Sequence, residues 1–330
     1  MSLMRFAKPA VACALIGSLL TACAKVEIAA PHMAPIPKEA RMLLGRKAMT
    51  AHSPIFVRIF KAESELEVWK QRSDGHFYHF KTYPICNWSG GLGPKIRQGD
   101  KQSPEGFYRV NRHQMNPNSQ FHLSFDLGYP NAFDKAHGRT GDFLMVHGKC
   151  RSAGCYAMTD ALMEEIYALA REAFSGGQKA FHVHAFPFRL TPENLARYQG
   201  DRNTHFWRSL KAGYDYFEVT RKVPNVVICR RRYHVNVEWD GPQLNPSGAC
   251  PRFVRGPIVP FVAPPGSQPN RAHMPSPPAP TPVWQPAASP QHAAAGQPRQ
   301  KPFIGRMSLA PRAAPRPPTS INDLLRLRIN

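Results

Sequence analysis

Between residues 53 and 240, apolar positions recur first at strand spacing and then at helix spacing. The stretch IFVRIFKAESELEVWKQRSDGHFYHFKTYPI, beginning at Ile55, predicts strands joined by turns, with Ser73-Asp74-Gly75 as a hairpin signal. GFYRV, QFHLSFDLG, FLMVHG and FHVHAF predict further strands, and NVVICRRRYHVNVEW returns to strand character after Pro224. Asp160 to Phe174 has the helical period: Leu162, Ile166, Leu169, Ala173 and Phe174 fall on one face. Thr159 is placed to cap that helix, Glu164 and Glu165 lie in its early turns, and Gly176-Gly177 stop it. Shorter helices are predicted over Pro192 to Tyr198 and from about Arg202 to Lys211. The pattern therefore predicts a mainly β domain with a few helices, long enough to build a proper core.

The ends of the chain read differently. Arg5 and Lys8 precede an apolar run from Val11 to Leu20, too short to span a bilayer as a mature helix and followed by small residues. That layout predicts a secretory signal over residues 1–22 and an exported, periplasmic protein. Leu20-Thr21-Ala22-Cys23 resembles a lipobox, in which Cys23 is lipidated and anchors the chain to a membrane; the alternative is ordinary cleavage after the A-x-A-like Ala22-Cys23-Ala24. Residues 23–52, with Pro31, Pro35 and Pro37, predict a tether holding at most a short helix around Lys38 to Ala48. Residues 241–330 predict a disordered basic tail: from Pro251 onward the chain holds 19 of its 34 prolines, ten Lys/Arg and one acid, Asp323. The terminal SINDLLRLRIN alone has the spacing of a short helix.

The net charge of +21 would point to nucleic acid in a cytosolic protein. Export excludes that partner and favours a surface of anionic polymer. It also changes the reading of cysteine. Beyond Cys23 remain Cys86, Cys150, Cys155, Cys229 and Cys250, an odd set that leaves one thiol over in an oxidising compartment.

That thiol directs attention to MVHGKCRSAGCYAMTD, Met145 to Asp160, where a predicted strand ends at His147 and a helix begins near Thr159. Cys155 then sits just ahead of a helix N-terminus, where amide groups and a protonated histidine favour thiolate. Gly154 allows an unusual turn, and the Gly154 and Cys155 amides together form a candidate oxyanion hole. Two other readings stand beside the nucleophile. One is a Cys150–Cys155 disulfide in a plain strand-loop-helix turn. The other is a zinc site using His147, Cys150 and Cys155 with His182 or His184.

His147-Gly148 followed by Ser152-x-Gly154-Cys155 resembles the nucleophile loop of YkuD-type L,D-transpeptidases. The compact HGKCRSAGCYAMTD is similar to the YafK-like branch of murein L,D-transpeptidases. TYPICNWSGGLGPKIRQGDKQSPEGFYRV, FHLSFDLGYPNAFDKAHGRTGDFLMVHG, HVHAFPFRLTPENLA and FWRSLKAGYDYFE agree with that branch, so the resemblance spans about residues 53 to 240. It implies a sandwich or barrel-like β domain, no cofactor, no metal, Cys155 as nucleophile and His147 as its base. The implied substrate is peptidoglycan: Cys155 attacks the carbonyl of meso-diaminopimelate in a stem peptide, D-alanine leaves, and an amine resolves the thioester. Two alternatives remain, a hydrolase that trims stems or releases wall-attached lipoprotein, and a non-catalytic wall-binding lipoprotein.

One departure matters. Many family members carry Arg two residues after the cysteine, where this chain has Ala157. Arg139 and then Lys95 are the candidates to bind a substrate carboxylate in its place, each with a solvated surface charge as the alternative. Ser152 is expected to hydrogen-bond His147 or to shape the loop, and Ser103 to Gly106 to form a turn bordering the cleft. His182 and His184 are expected in the core or along the cleft. An active enzyme needs Cys155 reduced. The other four cysteines can then pair in three ways, with Cys229–Cys250 the first choice for one bridge.

Overall fold

The run IFVRIF is buried along its whole length because it is the middle strand of a sheet covered on both faces. The computed structural model describes residues 30–263. Strands β1 (Ile55–Phe60), β2 (Glu65–Gln71) and β3 (Phe77–Pro84) form the antiparallel meander predicted around the Ser73-Asp74-Gly75 turn. On the other side of β1, the sheet continues through β10 (Ala180–Phe186), parallel to β1, to β5 (Gly106–Asn111).

A second sheet consists of short strands, in the order β4 (Asn87–Trp88), β9 (Tyr156–Ala157), β8 (Met145–His147), β7 (Ser124–Asp126) and β6 (Met115–Asn116). Helix α3 (Asp160–Ser175) touches β1, β7 and β8, and so packs against both sheets. Ile55, Val57 and Ile59 share one hydrophobic cluster with Phe125, Val146, Tyr156 and the buried face of α3. Thr159 caps α3 as expected, its hydroxyl accepting from the Leu162 amide.

The opposite face of the first sheet is covered by α5 (Thr204–Thr220). Phe56 meets Phe217 at 4.7 Å between ring centroids, and Phe60 meets Tyr214 at 6.4 Å. Arg58, between them on the same strand face, pairs with Glu218 at 2.6 Å under an aromatic roof. Sequence spacing ended this helix near Lys211, ahead of Gly213. Here that glycine is a packing device: a Cβ on it would lie 2.5 Å from Phe107 Cζ, so the helix continues and approaches β5 closely. Two short helices lie between these elements, α2 (Ala132–Ala136), which the spacing did not predict, and α4 (Pro192–Arg197), which it did.

Both expected boundaries move outward. Residues 23–52 are not simply a tether, because Ile36, Ala40, Leu44 and Met49 are buried in the main core and α1 (Lys38–Arg46) docks on the domain. Lys47 Nζ donates to the His79 and Phe80 carbonyls. The prolines dilute the apolar content of this segment, yet Ile36, Ala40 and Leu44 recur every fourth residue and present one stripe.

At the other end, folded structure continues past residue 240. Strand β13 (Val237–Glu238) pairs with β14 (Val254–Arg255), following a hairpin of β11 (Val226–Cys229) with β12 (Arg232–Val235). The expected Cys229–Cys250 disulfide closes this region. The Phe261 amide donates to the Val219 carbonyl at 2.7 Å, and its ring packs on Tyr78. A proline-rich composition hid these anchors. The predicted signal, Cys23 and SINDLLRLRIN lie outside the described residues, and no helix among the described residues is long and apolar enough to cross a membrane.

Candidate active site

The second sheet brings His147 and Cys155 near one another. β8 and β9 run parallel, with Val146 opposite Tyr156 and His147 opposite Ala157. Continuing that register by one residue sets Cys155 opposite Met145, and the Met145 amide does donate to Cys155 Sγ at 3.4 Å. Within the paired residues Ala157 lies on the His147 face, and Cys155, immediately ahead of β9, reaches the β8 backbone two residues before His147. The two candidate residues are thus diagonal neighbours, with Cα atoms on the order of 8 Å apart from strand spacing. Side chains can bridge such a diagonal. In this state the Cys155 thiol instead points to the Phe143 carbonyl at 3.6 Å.

His147 is 3 % exposed, and its Nδ1 lies 2.6 Å from the Gly148 carbonyl oxygen. A carbonyl only accepts, so Nδ1 carries the proton and the Nε2 lone pair of the neutral ring stays available. Burial pushes the imidazole below its ordinary pKa, with the Gly148 bond opposing in part. The ring is therefore neutral at neutral pH, the form a general base requires.

The thiol departs from expectation. β9, Met158 and Thr159 intervene between Cys155 and α3, and the helix dipole acts only within about its first turn. Burial pushes the Cys155 thiol above its ordinary value. The Met145 amide opposes this, the Asp126 carboxylate adds to it, and the Lys95 ammonium offsets part. The resting pair is neutral thiol and neutral imidazole. Alkylation of Cys155 by iodoacetamide should accordingly rise about tenfold per pH unit between about pH 6 and 8, following the thiolate fraction. A rate already level by pH 7 would mean a preformed thiolate-imidazolium pair.

The loop between the two residues is fixed by its backbone. Gly154 has φ +125°, a conformation open to glycine, and a Cβ there would press on Leu144 Cδ1 at 3.2 Å. Ser152 does not reach His147. Its hydroxyl donates to the Cys155 carbonyl at 2.7 Å and accepts from the Gly154 amide at 3.3 Å. The Gly154 amide would have to leave this partner to serve as an oxyanion donor.

Ser103, read from sequence only as part of a bordering turn, is fully buried and is the second donor to the Cys155 carbonyl, at 3.0 Å. Behind it stands the buried Lys61–Glu105 pair: Lys61 Nζ also donates to the carbonyls of Ser103 and Gly93, while Glu105 accepts from the Gly93 amide and Trp207 Nε1. Lys61 and Trp207 carried no sequence signal for the site: Lys61 follows a plain strand pattern, and Trp207, though within FWRSLKAGYDYFE, has no role that its neighbours in the chain reveal.

The Cys150–Cys155 alternative is excluded by a Cys86–Cys150 disulfide, which ties the loop to β4 and also removes Cys150 from a zinc set. Cys155 is the free cysteine among the described residues. His184 is enclosed by Phe56, Phe107 and Phe186 in the core, with its pKa held well below the usual value by burial. His182 is its neighbour along β10, and burial holds its pKa near about 4.

Neither candidate cation is a solvated surface charge. Arg139 is 8 % exposed, paired with Asp134 at 2.7 Å and stacked over Phe206. Lys95 is 4 % exposed, paired with Asp100 and donating to the Arg97 carbonyl.

Comparison with known proteins agrees with this architecture. The model of the YkuD family, an L,D-transpeptidase catalytic domain, matches residues 56–183. YafK of Escherichia coli K12, provisionally named an L,D-transpeptidase, is 43% identical over 203 residues, covering 61% of this chain and 79% of YafK. The chain belongs to the L,D-transpeptidase family. YafK of Escherichia coli O157:H7 matches to the same extent. Among solved structures, the helical cell shape determining protein Pgp2 of Campylobacter jejuni aligns with TM-score 0.33 and 19% identity, covering 57% of this chain and 79% of Pgp2. Bdellovibrio bacteriovorus Bd1075 aligns with TM-score 0.28 and 20% identity, over 50% of this chain and 61% of Bd1075. Family membership makes this a peptidoglycan-modifying enzyme.

Proposed function

We propose that the chain is a cysteine-dependent acyl transferase acting on peptidoglycan stem peptides, with Cys155 as nucleophile and His147 as base. The observation that carries this is proximity across β8 and β9: a free cysteine reaches the Met145 amide, two residues before a histidine whose Nε2 lone pair is kept available by the Gly148 carbonyl. His147 Nε2 takes the Cys155 proton as Sγ bonds to the meso-diaminopimelate carbonyl carbon. The amide C–N bond then breaks, the departing D-alanine nitrogen receives that proton, and a thioester remains on Cys155. The Cys155 amide, with that of Gly154 once it leaves Ser152, stabilises the oxyanion. An amine attacks the thioester, loses a proton through His147, and returns the free thiol. No cofactor or metal enters these steps.

Hydrolysis, including release of wall-attached lipoprotein, shares the same acyl-enzyme and differs in the acceptor. Such a substrate also fits export, a periplasmic location and membrane anchoring through a lipid on Cys23. The test is to incubate the protein with purified sacculi, with and without a free amine, and to follow muropeptides and intact protein mass. Expected are a stem-peptide adduct on Cys155, free D-alanine, and a new amine-linked product when amine is present. Binding to sacculi with no adduct and no altered muropeptide would leave only a wall-binding protein.

A further inference from the structure

The missing Arg after the nucleophile leaves a charge to account for. A peptide stem carries carboxylates close to the bond that breaks, and both cations expected from sequence are buried against carboxylates of their own. A different cation lies along the open side of the same loop system. A cleft of about 350 Å³ is lined by Leu92, Gly93, Ile96, Gln102, Arg202 and Asn203, among others.

Gln102 stands between this cleft and the candidate active site, lining the first and facing Gly154 of the second. The Gln102 carbonyl oxygen lies 3.6 Å from where a Cβ on Gly154 would stand, next to the nucleophile. The Gln102 side chain holds the facing wall, accepting from the Gly91 amide and donating to the Gly91 and Gly93 carbonyls.

Arg202 is exposed and forms no ion pair or side-chain hydrogen bond with any described residue. The acid beside it, Asp201, does not line the cleft, and one of its oxygens accepts from the Asn203 amide at 2.7 Å. Asn203 stands at the N-cap position of α5 but makes no capping bond with its side chain. Its carboxamide is turned to the cleft wall, with Nδ2 2.7 Å from the point a Cβ on Gly93 would occupy. Gly93, at φ +121°, makes that approach possible. A forked cation and a neutral donor on adjacent residues match the geometry of a carboxylate.

We propose that Arg202 and Asn203 form the subsite that binds a carboxylate of the stem peptide and so orients the scissile carbonyl at Cys155. This rests on the acyl-transfer reading, so its test uses binding alone. The Cys155→Ala full chain is titrated with a synthetic stem tetrapeptide and with versions in which each free carboxylate is amidated in turn. One amidation should weaken binding tenfold or more, and this arm identifies the terminal or the diaminopimelate carboxylate as the ligand. Adding Arg202→Ala should cost the free acid a similar factor and abolish the preference over that amide, while Arg202→Lys retains part of it. Equal affinities with and without Arg202, or a preference for the acid that survives Arg202→Ala, would overturn the subsite. Because the protein tested is inert by design, a lack of acyl-enzyme in the wild type would bear on the reaction and leave this measurement intact.

Discussion

Cys155→Ala is expected to abolish turnover of peptidoglycan while leaving the melting temperature almost unchanged. The loss should be on the order of 10⁶-fold, the scale seen when the nucleophile of a covalent mechanism is removed. The structural cost is small because the loop is held by the backbone of residue 155 rather than by its sulfur. Ser103 and Ser152 both donate to the Cys155 carbonyl, and Gly154 keeps its turn whatever side chain follows. The thiol itself makes only long contacts, 3.4 Å to the Met145 amide and 3.6 Å to the Phe143 carbonyl. Muropeptide profiles and a melting curve on the same preparation check both halves. Retained turnover in a folded Cys155→Ala protein would remove Cys155 from the reaction, and a large fall in melting temperature would show that the sulfur is structural.

Glu105→Ala should be the most damaging single change away from Cys155. It leaves the Lys61 ammonium fully buried with only the Gly93 and Ser103 carbonyls, and it orphans the Gly93 amide and Trp207 Nε1. Removing one partner of a buried pair costs about 3–5 kcal/mol. For a domain of this size that is a fall in melting temperature of roughly 10 °C. Activity should fall as well, because the same network places Ser103 against the Cys155 carbonyl and Gly93 against Asn203. Replacing both members by apolar residues, Lys61→Met with Glu105→Leu, should recover much of the stability, since no charge is then left alone. A Glu105→Ala protein melting within about 2 °C of wild type would show that the pair contributes little.

These two residues mark how much was legible beforehand. The Cys155 loop could be read because its signals are local: a strand ending in His-Gly, a glycine before the cysteine, and a cap at Thr159 before a periodic helix. Glu105 could be read only as part of a turn. Its importance comes from Lys61 and Trp207, which lie 44 and 102 residues away in the chain. The cations were misread for a different reason: their partners are only five residues away, but nothing in the local pattern shows that the pairs form or are buried. Arg139 and Lys95 look like available charges in sequence, and it is Asp134 and Asp100, brought round by their own turns, that neutralise them. Distance in the chain does explain the thiol, which directly precedes a two-residue strand, β9, too short to show a period and formed only because β4 and β8 flank it.

The amino-acid sequence by itself determined the elements with a repeating apolar face, the two ends of distinct composition and the family, and it singled out His147 and Cys155 as the candidate pair. All of these are encoded within a few neighbouring residues or in one contiguous motif. The tertiary structure decided which cysteine Cys150 joins, that α1 and Phe261 belong to the domain, that burial pushes the Cys155 thiol upward, and that Arg202 lines the cleft. Each of those depends on burial or on a partner distant in the chain. Desolvation and pairing are properties of the packed molecule, and no local pattern of residues carries them.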